Sequence, residues 1–98
     1  MPTTRAAGRR WLDANVGRTL LTCQVYGNGR TWTPGPRVLS RRHASAWTLT
    51  TPEGRGSDIT LGNDTVVLRA DDEHLVLQWI DGEGVVIHVT TYTVQHTL

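Results

Sequence analysis

The residues best equipped for chemistry in this 98-residue chain are its arginines and tryptophans. The densest run is Arg30–His43, RTWTPGPRVLSRRH. It holds Arg30, Arg37, Arg41 and Arg42 with Trp32 and His43, and no acid interrupts it. A guanidinium presents a planar fork of donors that grips two phosphate oxygens at once. An indole offers a flat face on which a base can stack. This pairing predicts a nucleic-acid or nucleotide site built from Arg30, Trp32, Arg37, Arg41 and Arg42, aided by Arg9 and Arg10. If each arginine met a phosphate, affinity for single strands would fall with salt by a log–log slope of about 0.7 per contact. The opposing expectation is internal. The same arginines would pair with Asp58, Asp64 and the Asp71–Glu73 cluster, and Trp32 would belong to the core.

Other chemistries find no support in the residue pattern. His43, His74, His88 and His96 have no short pair spacing. His88 and His96 are eight positions apart, ~26 Å along a strand, too far for one metal ion. His88 is expected to be a core or cavity histidine. Cys23 lies between Leu21 and Val25, where a thiol is ordinarily a small buried hydrophobe. No G-x-S-x-G elbow is present, and the glycine pairs 27/29, 54/56 and 82/84 mark turns, not phosphate loops. Asp71-Asp72-Glu73 reads as a solvated turn. These features predict a non-catalytic binding module with no metal and no cofactor.

The charges are segregated. Residues 1–55 carry nine arginines and two acids, a balance of +7; residues 56–98 carry one arginine and seven acids, a balance of −6. The net charge of +1 hides this dipole. One half could meet nucleic acid. Alternatively, the halves could pair within one fold or across a head-to-tail contact. The second case is a protein–protein interaction module or self-assembling accessory factor, exposing strand edges and a surface of both signs. Ten arginines without lysine, and four tryptophans without phenylalanine, indicate GC-rich codons, hence a high-GC bacterium, its phage or a mobile element. A single cysteine excludes an internal disulfide. No apolar run approaches the ~20 residues of a membrane helix, and no apolar stretch follows MPTTRAAGRRW. A cytoplasmic protein without membrane contact is expected.

The elements that must position these residues are mostly strands. Fifteen threonines, ten valines and three isoleucines favour extended backbone. One domain is expected over 1–98. Residues 1–16 form a short helix or a basic arm, and residues 18–96 form the β core. Thr3 or Thr4 caps a helix over Arg5–Ala14, Gly8 weakens it by about 1 kcal/mol relative to Ala, and Gly17 stops it. Strands are expected over 18–26, 30–33, 47–51, 58–61, 65–69, 75–80 and 85–94, with a short strand or single turn within 37–46. Leu75, Leu77 and Trp79 share a face with Val86 and His88. The opposite face is also apolar, so both sides of this hairpin should be covered. After Val89 the apolar set shifts to Tyr92 and Val94, predicting a bulge near Thr90–Thr91. The sum is a mainly β protein: a small antiparallel β-barrel or sandwich of about seven strands with a short N-terminal helix.

One local resemblance bears on the ligand. Arg37-Val-Leu-Ser-Arg41 followed by Asp58-Ile-Thr60-Leu-Gly62 resembles the paired motif of PilZ domains. Those are small β-barrels that bind cyclic di-GMP through R-x-x-x-R and a later D-x-S-x-x-G. The resemblance covers Arg37–Gly62 alone. Thr60 stands at the family's serine and Gly62 comes one residue early. The strand-like ending TTYTVQHTL replaces the family's C-terminal helix. No family is assigned on these residues.

Overall fold

In the computed structural model, which describes residues 3–96, the helix forms where the caps predict it. The first two and last two residues of the expected domain lie outside the described residues. Helix α1 (Arg5–Ala14) starts at Thr4, whose hydroxyl accepts the Ala7 N–H at 3.1 Å. Asn15 closes it by donating its backbone N–H to the Leu12 carbonyl, and Gly17 turns the chain at φ +89°. Eight strands follow: β1 (Thr19–Tyr26), β2 (Thr31–Trp32), β3 (Arg37–His43), β4 (Ala46–Thr50), β5 (Gly56–Thr60), β6 (Thr65–Ala70), β7 (His74–Ile80) and β8 (Val86–Val94). The segment over 37–46, expected as a short strand or turn, is thus the full strand β3 and the start of β4.

All eight strands belong to one antiparallel sheet, ordered β5-β4-β3-β1-β8-β7-β6, with β2 paired to β1. The mainly β architecture with one short helix agrees with the sequence reading. The sheet is curled but not closed into a barrel, because β5 and β6 do not pair. Two three-strand meanders meet at β1. Its N-terminal end pairs with β3, its C-terminal end with β2, and its whole length with β8. Leu49 and Ile59 of one meander join Val67, Leu75 and Leu77 of the other in a single core. The sheet therefore folds over its inner face.

Helix α1 plugs one end of that face with Gly8, Trp11 and Leu12. Trp11 Nε1 donates to the Asp71 carbonyl at 2.7 Å. Asp13 accepts from Trp47 Nε1 at 3.0 Å and from Arg41 at 2.8 Å, tying the helix to β3 and β4. Thr3 donates its N–H to Val67 O at 2.9 Å, satisfying part of the open β6 edge.

Three expectations are corrected. The β8 register runs unbroken against β1 from Val94 to His88, so there is no bulge at Thr90–Thr91. The irregularity lies earlier, between the pairs Trp79–His88 and Ile80–Val86. The apparent phase change arose because Thr90 is 1% exposed and holds an inward position that an apolar count skips. The outer face of this hairpin is only half-buried along Val76, Gln78, Ile80 and Val89, and it opens to solvent at Ile87, which is 47% exposed. On β1, the inward row is Leu20, Thr22 and Gln24, while Leu21, Cys23 and Val25 face outward. Cys23 is exposed, not a buried hydrophobe.

Gly8 has a packing role that helix propensity does not reveal. A Cβ there would meet Val67 Cγ2 at 2.9 Å and Leu61 Cδ1 at 3.2 Å. Val67 is buried and stiff at χ1, so it gives way poorly. Gly8→Ala should therefore destabilise the fold by about 1–3 kcal/mol in urea denaturation, overriding the ~1 kcal/mol of helix propensity it gains. A rise in stability would contradict the seating of α1 on β6.

Candidate functional site

Strand alternation sends every second residue of the curled sheet inward. At the α1 end these residues are apolar. At the other end the register lays Thr22 beside Tyr92, Gln24 beside Thr90 and Trp32, and Tyr26 beside His88, which in turn adjoins Trp79. A cavity of 240 Å³ opens there, lined by Thr22, Gln24, Trp32, Arg37, Ser57, Asp58, Trp79, His88 and Tyr92. It is smaller than the ~300 Å³ of the smallest pockets that take whole small molecules, so it suits one ring or one charged group. A more open trough of 520 Å³, lined by Gln24, Tyr26, Asn28, Arg30, Thr31 and Trp32, adjoins it. Gln24 and Trp32 belong to both.

Arg37 is the one arginine lining this cavity. It opens β3 and pairs with Leu20, an inward position. Just before it, Pro34-Gly35-Pro36 interrupts the edge facing β1. Two prolines lack donors, so β2 and β3 remain separate pieces along β1. Arg37 is 5% exposed. One terminal nitrogen donates to Ser57 Oγ at 2.7 Å and the other to Thr22 Oγ1 at 3.2 Å. Nε has no partner. The guanidinium carbon lies 5.3 Å from the centre of the Trp32 ring. Among the described residues no carboxylate forms an ion pair with Arg37.

Burial sets the electrostatics of the neighbours. It pulls the Arg37 pKa below the ordinary 12.5, an effect opposed by Tyr92. Burial also pushes the Tyr92 hydroxyl above its ordinary 10.0, while Arg37 draws it back. His88 is packed 4.8 Å from Trp79 and 5.6 Å from Tyr26 between ring centres. Desolvation holds its pKa below 6.5. At neutral pH, Arg37 is thus the cation of the cavity.

The predicted patch divides into three. Arg30, Trp32 and Arg37 come together at the cleft. Trp32 is 44% exposed, not core. Arg41 is bound by Asp13 and lies 5.7 Å from the centre of the Trp47 ring; Arg42 is bound by Asp58. Those two cations are already matched by acids of the same chain. Arg9 and Arg10 lie on the exposed face of α1, no residue of which lines the cleft. Trp79, His88, Tyr92, Thr22 and Ser57 were missed as site residues. Strand parity had already grouped Trp79 with His88, and their cross-strand pairing was the available signal.

No family model, curated protein or solved structure matches this chain. Of the PilZ-like residues, Arg37 and Asp58 both line the cavity, but they are not joined by Arg41 and do not pair with each other. Arg37 turns into the cavity and Arg41 turns to Asp13, while Asp58 accepts from Arg42 and Thr48.

A buried charge without a counter-ion is costly to the free protein. Arg37→Met should leave the melting temperature unchanged or raise it. A fall beyond ~5 °C, about 1 kcal/mol for a domain of this size, would assign Arg37 a structural role. For His88, burial disfavours the proton in the folded state. The unfolded chain then takes up the proton first, and stability declines as the pH drops below the ordinary 6.5. His88→Gln should flatten that part of a stability-versus-pH curve, and an unchanged curve would contradict the assignment.

Proposed function

We propose that this protein is a non-catalytic binding module that holds a nucleotide unit of single-stranded nucleic acid in the cleft. The phosphate meets Arg37 in the cavity, and the ring stacks on Trp32 from the adjoining trough. The observation that carries this reading is the buried Arg37 guanidinium, unmatched by any acid among the described residues and surrounded by aromatic rings. A cation kept there at a cost to folding is best explained by an anion that neutralises it. Rings flanking the cation favour a ligand that is both planar and negative. Ser57 and Thr22 both accept from Arg37, so their hydroxyls hold the guanidinium in the cleft.

Titration of tryptophan fluorescence with oligothymidylate tests it. Saturable quenching is expected, lost by about tenfold or more in Arg37→Met and Trp32→Ala. Arg41→Ala with Arg42→Ala should bind within about twofold of the parent, since both are tied up internally. The log–log salt slope should be about 1.4, from contacts by Arg37 and Arg30 at ~0.7 each, not the steeper slope of the whole patch. Absence of quenching at low salt would overturn the reading.

A second reading, self-association, is favoured by the outer sheet face. Leu21, Cys23, Val25, Ile87, Val89, Thr91 and Thr93 carry no charge, and Leu21, Val25 and Ile87 are 40–47% exposed. A second copy of the same face brings no charge to desolvate, so the face is self-complementary. Sedimentation across a dilution series should show a dimer that Val25→Asp with Ile87→Asp abolishes. A monomer throughout would refute it.

A further inference from the structure

We infer that the cleft is matched to a single negative charge, so that it takes an internal phosphodiester of a strand in preference to a terminal phosphate. This inference rests on the nucleotide reading above and narrows it.

The argument begins with a count of charge. Arg37 contributes one buried positive charge. Asp58, the acid at the rim, is already engaged by Arg42 and by the Thr48 hydroxyl, so it neither neutralises Arg37 nor welcomes more negative charge. The remaining walls are Trp32, Trp79, Tyr92, Thr22, Gln24 and Ser57, none of them charged at neutral pH, together with His88 packed between Tyr26 and Trp79. One negative charge balances the cavity. A phosphate monoester carries about −1.5 to −2 near neutral pH, and its surplus would be buried with no partner.

The donors agree with the count. Each terminal nitrogen of Arg37 donates one N–H to a hydroxyl and keeps a second. A diester offers its two non-bridging oxygens to such a donor set and needs no other cation. The cavity also has room for a strand to continue. Trp32 and Gln24 are shared with the neighbouring trough, where Arg30 is exposed. A chain leaving the cavity past Trp32 would bring its next phosphate toward Arg30. A terminal phosphate makes no use of that path.

The test compares a monophosphate with two diesters, its methyl ester and a dinucleotide. Thymidine 5′-monophosphate, its phosphate methyl ester and the thymidine dinucleotide with one internal linkage are titrated by tryptophan fluorescence near pH 7.5, with oligothymidylate alongside. The methyl ester and the dinucleotide should bind about tenfold more tightly than the monophosphate, as expected for an uncompensated buried charge. Arg37→Met should erase the difference. A monophosphate that binds as well as its ester overturns the charge match. If Arg37-dependent binding of oligothymidylate persists in that case, the nucleotide reading stands without it. If neither the small ligands nor oligothymidylate bind, both fall.

Discussion

A guanidinium inside a small protein needs an explanation that folding alone does not supply. Arg37 is buried, its charge is unmatched among the described residues, and its Nε has no acceptor. The hydroxyls of Ser57 and Thr22 soften the cost without removing it. Each part of the cleft follows from keeping that side chain inward. The Pro34-Gly35-Pro36 break frees the edge beside it, β3 begins with it, and the curled sheet encloses it from β7 and β8.

The two ends of the inner face are stabilised differently. At the helix end, leucines and Trp47 form a dry core that Asp13 clamps through Trp47 and Arg41. At the cleft end, the rings of Trp32, Trp79, His88 and Tyr92 stand around polar groups and leave space. The clamp uses Arg41 as an ordinary ion pair, largely exposed and worth little by itself. Two arginines of one strand thus serve opposite ends: Arg37 turns into the cleft, and Arg41 holds the helix.

Much of the fold was legible because turns and caps are local. Thr4, Gly17 and the strand alternation of 47–51 and 75–80 placed the helix and most strands. The face assignments were less legible. On β1 the more apolar row points outward, so an apolar count alone cannot say which side is core. Thr90 is buried, although threonine ordinarily marks a surface row. The site was half legible. Residue type identified Arg30, Trp32 and Arg37, but could not separate them from Arg41 and Arg42. Whether an arginine meets Asp13 or a cavity depends on pairings as far as 28 residues distant. Trp79, His88 and Tyr92 enter the site only through the long-range register of β1, β7 and β8.

The central claim concerns one guanidinium, and nitrogen-detected or proton–nitrogen NMR of the arginine side chains reads it directly. On adding oligothymidylate, the Arg37 Nε–H signal should shift and gain protection from exchange with water, while those of Arg41 and Arg42 stay in place. Movement of Arg41 and Arg42 with an unaltered Arg37 would contradict the account.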